Sequence, residues 1–116
     1  MEYRFFVDND VLRVEPPLVK HELPCDNAAL LLIGIQKWEA MVSFVEEHKY
    51  LPSDGGMVTC APCMVYEKCA KCPARCVGSP YDDWWYARDF DDVEAGLAAA
   101  HAEVEFLKGI LESLSN

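Results

Sequence analysis

Five cysteines fall within seventeen residues, in the order Cys60-x2-Cys63-x5-Cys69-x2-Cys72-x3-Cys76. Two thiolates separated by two residues can turn in on one ion, and a second such pair completes a tetrahedron. The expected cofactor is therefore Zn²⁺ held by four of the five. Cys60, Cys63, Cys69 and Cys72 form the simplest set. Exchange of Cys69 for Cys76 gives a second, because Pro73 can start a helical turn that brings Cys72 and Cys76 to one side. His48, just ahead of the segment, is an outside candidate. An iron–sulfur cluster is the chemical alternative, since it also takes four cysteines, but the spacing departs from the common C-x2-C-x2-C-x3-C-P run. Lys68, Lys71 and Arg75 stand beside the ligands and would favour thiolates. Cys25 lies apart from the segment and reads as a small packing residue.

No enzyme constellation accompanies the cysteines. There is no Gly-rich phosphate loop, no H-E-x-x-H and no nucleophile elbow, and His21, His48 and His101 are scattered. A cysteine-saturated zinc site has no open coordination position. The expectation is a structural metal and a non-enzymatic protein.

Charge narrows the partner. The chain of 116 residues has a formal net charge of −10. Residues 57–80 carry one acid and three bases, whereas residues 81–116 carry nine acids and two bases. Such a surface repels phosphate backbones, whose binding rests on Lys and Arg, and suits a basic protein surface. Tyr81, Trp84, Trp85 and Tyr86 lie in the acidic stretch, on a segment read as irregular or a single turn. Trp84, Trp85, Tyr86 and Arg88, with Asp82, Asp83, Asp91 and Asp92, are the candidate partner-binding residues, because Trp, Tyr and Arg dominate binding hot spots. Packing of the metal loop onto the helices is the competing role for the aromatics. A sharper version has Asp82, Asp83, Asp89, Asp91, Asp92 and Glu94 imitating phosphates to inhibit a nucleic-acid-binding enzyme. The basic loop supports a rival reading, a nucleic-acid-binding zinc protein, and the total charge opposes it.

The elements that must position these groups follow from periodicity. Tyr3 to Val7 and Val11 to Val14 flank an Asn/Asp turn and read as a β-hairpin over 1–17. Asp26 is an N-cap for a helix over 26–50. Ala28, Leu31, Ile35, Trp38, Val42 and Val45 form its seam. Leu30, Leu32 and Ile33 are apolar on other faces, so the hairpin or a second copy of the chain must cover them. Pro52, Gly55 and Gly56 open the metal-binding loop, 57–80. Asp91 or Asp92 caps a last helix, 91–114, with a heptad seam of Val93, Leu97, Ala100, Val104, Leu107, Leu111 and Leu114. The predicted fold is mostly α: a single domain with an antiparallel helical hairpin, a Cys-ligated zinc loop at its tip and a small N-terminal β-hairpin. A domain this small has a marginal core, which a metal would reinforce. The start lacks a signal-peptide pattern and the longest apolar run, Ala28 to Ile35, is short of a bilayer span. The expectation is a cytoplasmic protein whose thiols stay reduced.

The combined pattern resembles a family of small Cys-rich phage and prokaryotic proteins. The matching residues are the C-x2-C pair, Cys69-x2-Cys72-Pro73, Cys76-Val77-Gly78-Ser79-Pro80-Tyr81 with Trp84, Lys37-Trp38, and Glu105-Phe106-Leu107-Lys108. They span about residues 28–112. Ser79 stands where that family has Thr, and the gap from Cys72 to Cys76 is shorter. The resemblance implies a phage or mobile-element context, with a host or phage protein as partner, and supplies no activity.

Overall fold

The computed structural model describes residues 2–24, 26–66 and 79–114. Strands β1 (Arg4–Asp8) and β2 (Val11–Glu15) pair antiparallel, with Asp8 opposite Val11. Asn9 and Asp10 form the two-residue turn with φ of 51° and 64°, the left-handed conformation that matches the strands' twist and that Asn and Asp tolerate. A 3-10 turn (Lys20–Glu22) leads to helix α1 (Asn27–His48). After it come a second 3-10 turn (Gly56–Thr59) and helices α2 (Ala61–Tyr66), α3 (Pro80–Asp89) and α4 (Val93–Leu114). The fold is mostly helical with a two-stranded N-terminal hairpin.

Each long helix is stopped by local chemistry. The Asp26 side chain accepts from the Ala28 N–H (3.1 Å), satisfying a donor the first turn leaves open. At the other end of α1, Lys49 turns left-handed and its N–H closes on the Val45 carbonyl (2.9 Å). Asp92 caps α4 through the Ala95 N–H (3.1 Å).

Helices α1 and α4 share one core, built from Leu31, Ile35, Trp38, Met41, Val42 and Val45 against Ala100, Val104, Leu107 and Ile110. Their contacts run in opposite order: Gly34 faces Leu107, Glu46 approaches His101, and Leu51 beyond α1 meets Gly96. Of the expected α4 seam, Ala100, Val104 and Leu107 are buried, while Leu114 lies in solvent. A second cluster joins Val14, Leu18 and Leu23 to Leu30, Ile33 and Ala61, so the N-terminal segment covers the extra apolar face of α1. Leu32 stays exposed.

Two departures from the sequence reading matter. The segment expected to be irregular is a ten-residue helix, α3, lying along α4, so the helical layer has three members rather than two. And α1 is long and apolar enough to cross a membrane, although half of its most apolar window is buried inside the protein. That burial, with the buried Lys37 among its residues, marks it as the core helix.

The α4 contact with Leu51 gives a pair of predictions. A Cβ on Gly96 would lie 2.5 Å from both Leu51 Cδ atoms, whereas one on Gly109 would meet nothing within 4 Å. Helix propensity favours alanine at both sites by about 1 kcal/mol. Overpacking at 96 costs roughly 1–3 kcal/mol. Gly109→Ala is therefore expected to raise, and Gly96→Ala to lower, the midpoint of denaturant unfolding.

Candidate metal centre and aromatic face

The cysteine segment begins at a helix start. Cys60 precedes α2 and its carbonyl accepts from the Met64 N–H (2.9 Å). Cys63 is three residues on, so both side chains project to the same side. Their Sγ atoms are 2.7 Å apart and no disulfide joins them. A disulfide is about 2.0 Å long. The edge of a zinc tetrahedron with bonds of about 2.3 Å is longer, roughly 3.8 Å. The two sulfurs are thus nearer to each other than two ligands of one zinc ion, and sharing an ion would require them to move apart by about 1 Å. Among the described residues no group of three or more His, Cys, Asp and Glu side chains is placed to hold a metal. Cys69, Cys72 and Cys76 lie outside the described residues, as does Cys25. His48 sits at the end of α1, half exposed, with Glu47 as its neighbour.

Beneath the sulfurs is a buried polar cluster that spacing alone did not reveal. Its formation starts at the hairpin. The Leu12 N–H donates to the Ser53 carbonyl and the Ser53 N–H to the Asp10 carbonyl, both at 2.8 Å. This pins residue 53 beside β2 and pushes Asp54 inward. Gly55 follows with φ of +83°, where a Cβ would fall 2.5 Å from the Leu12 carbonyl oxygen, so only glycine turns the chain there. Asp54 Oδ2 meets Lys37 Nζ at 3.1 Å, with both side chains 2% exposed. The Tyr81 hydroxyl donates to the same oxygen (2.9 Å), and the Thr59 hydroxyl to the Asp54 carbonyl (2.6 Å). Burial first, then the Asp54 charge, pushes the Tyr81 hydroxyl far above its ordinary value, and Cys60 is near enough to add to the effect.

Glu103 reaches across from α4 to the start of α3. It accepts from the Tyr81 N–H and from the Ser79 side chain, and Ser79 itself caps α3. Burial raises its pKa to about 7, against the pull of these hydrogen bonds and of Lys37. Asp54 Oδ1 and Glu103 Oε2 are buried with no hydrogen-bond partner among the described residues. Protonation of Glu103 relieves part of that cost.

The sign of the pH effect follows. The folded chain keeps a proton on Glu103 that the unfolded chain releases near pH 4.5. This contribution is fully present below that value, falls as the pH rises towards about 7, and is flat above. Glu103→Gln keeps the hydrogen-bonding shape without the titration. The difference in Tm, wild type minus E103Q, is expected to shrink from about pH 5 to 7 and then level off. A constant difference would contradict the assignment.

Helix α3 anchors the candidate partner-binding residues. Ser79 and Pro80 supply cap and first position, and Asp82 and Asp83 suit the positive end of the dipole. Trp84 is 0% exposed and packs edge-on against Trp38 (5.3 Å). It belongs to the core and faces inward from a regular helix, unlike the exposed side chain expected of a binding residue. Tyr81 links Trp38 (5.7 Å) to Trp85 (6.1 Å), carrying the aromatic packing out to the surface. Trp85 and Tyr86 are exposed, with Asp82, Asp83, Asp91 and Asp92, while Arg88 is half-buried. Phe90, 81% exposed, was not among the sequence candidates. Its signal is an aromatic directly after the last turn of an acidic helix.

No family model, curated protein or solved structure matches this chain.

Proposed function

We propose that this chain is a zinc-stabilised, non-enzymatic protein-binding module. Cys60 and Cys63 would supply two thiolates, and two of Cys69, Cys72 and Cys76 the others, with the ion closing the tip of the α1–α4 helical pair. The observation that carries the binding role is the outer surface of α3, where Trp85, Tyr86 and Phe90 stand exposed among aspartates. Large aromatics grouped on a surface are enriched where proteins meet. The acidic setting selects a basic partner. In keeping with the resemblance above, that partner is a phage or host protein, met in the cytoplasm.

The test is affinity capture from a bacterial lysate, with wild type compared to a Trp85→Ala, Asp82→Asn double variant of unchanged melting temperature. The expected result is a partner retained by the wild type, released at high salt and lost with the double variant. Equal retention by both proteins, or by neither, would overturn the reading.

A further inference from the structure

An open cleft of about 610 Å³ lies between α3 and the outer side of α4. Its floor is made of Ala95, Ala98 and Ala102, which line up at helical spacing and are exposed. Tyr86 and Phe90, 67% and 81% exposed, form its wall. Asp83 and Asp92 stand on its rim. From residue 79 to 100 the chain carries six acids, all exposed, and one base, Arg88.

We infer that this cleft receives a basic amphipathic helix of the protein partner, its apolar edge on the alanine floor beside Tyr86 and Phe90. The assignment rests on the protein-binding reading and deepens it. A floor without side chains beyond Cβ lets a helix approach closely, because interaxial distance is set by the side chains at the contact. Residues 95 to 102 span about 10 Å at 1.5 Å per residue, room for roughly two turns of a guest helix. Lys and Arg on the guest's flanks meet Asp83 and Asp92. A second copy of this chain would instead bring like charges together, at a net charge of −10 per copy. Nucleic acid is refused on the same ground.

The probe is a labelled peptide of about 18 residues with Leu at i, i+3, i+4 and i+7 and Lys or Arg elsewhere. Its binding to the full chain is followed by fluorescence anisotropy. Controls are a scrambled peptide of equal composition and one with Glu replacing Lys and Arg. The helical peptide is expected to bind about tenfold more tightly than the scramble, and the acidic one not at all. Phe90→Ala and Ala98→Trp, both at exposed sites, are each expected to weaken binding about tenfold. Leu32→Ala, at an exposed apolar site of α1 outside the cleft, should leave it unchanged. Equal binding of helical and scrambled peptides, or indifference to Phe90→Ala and Ala98→Trp, would overturn the inference. So would self-association of the wild type that Ala98→Trp abolishes, which would assign the cleft to a second copy. A captured partner that still binds Ala98→Trp but not the Trp85→Ala, Asp82→Asn variant would sink the cleft while leaving the binding role intact.

Discussion

Cys63→Ser is expected to lower occupancy of the zinc site proposed above and to cost several kcal/mol of stability. Structural zinc contributes on the order of 10 kcal/mol in small modules. A thiolate removed from a four-ligand site cannot be replaced by serine at neutral pH. The consequence reaches past the ion, because Cys63 packs against the main core and Ala61 of α2 seals the second one. Loosening α2 opens the face of Leu30 and Ile33. Metal content by elemental analysis and melting followed by circular dichroism measure the two effects together. Cys25→Ser serves as the control and should leave both near wild type. Equal behaviour of the two variants would remove Cys63 from the ligand set.

Lys37→Met is expected to lower stability by about 3–5 kcal/mol, the usual cost of leaving one member of a buried ion pair alone. In a domain of this size that is a Tm drop of roughly 15 °C. Asp54, at 2% exposure, would keep the Tyr81 hydroxyl but lose the Lys37 ammonium now 3.1 Å away. Asp54→Ala should cost a similar amount by orphaning Lys37. The double variant should cost clearly less than the two single losses together, since no unpaired charge remains. Thermal melts of the four proteins close this cycle. Additive losses would mean that the two side chains do not act as a pair.

Which of these features the sequence displays depends on how far apart their causes lie along the chain. The Asn9-Asp10 turn and the caps Asp26 and Asp92 are set by neighbours within three residues, so they are legible directly. The seams of α1 and α4 are legible because burial repeats every turn. Helix α3 escaped that logic: only Trp84 and Ala87 of its ten residues are buried, so it has no apolar period, although Ser79-Pro80 followed by two aspartates is a helix-start signal. The Lys37–Asp54 pair is hidden for another reason. It forms because β2 captures residue 53, which only the folded hairpin can do. Glu103 interrupts an apolar seam as an ordinary polar residue would, and its burial follows from the packing of the start of α3 against α4. The nearness of Cys60 and Cys63 reflects their local spacing. Cys69, Cys72 and Cys76, from which the other two candidate ligands would come, fall outside the described residues.

Native mass spectrometry of the freshly purified, reduced chain tests the central claim most directly. One zinc ion per chain is the predicted mass increment, and its removal by a chelator should coincide with loss of the cooperative melt. A reduced chain that carries no metal and unfolds at the same temperature with or without added Zn²⁺ would contradict it.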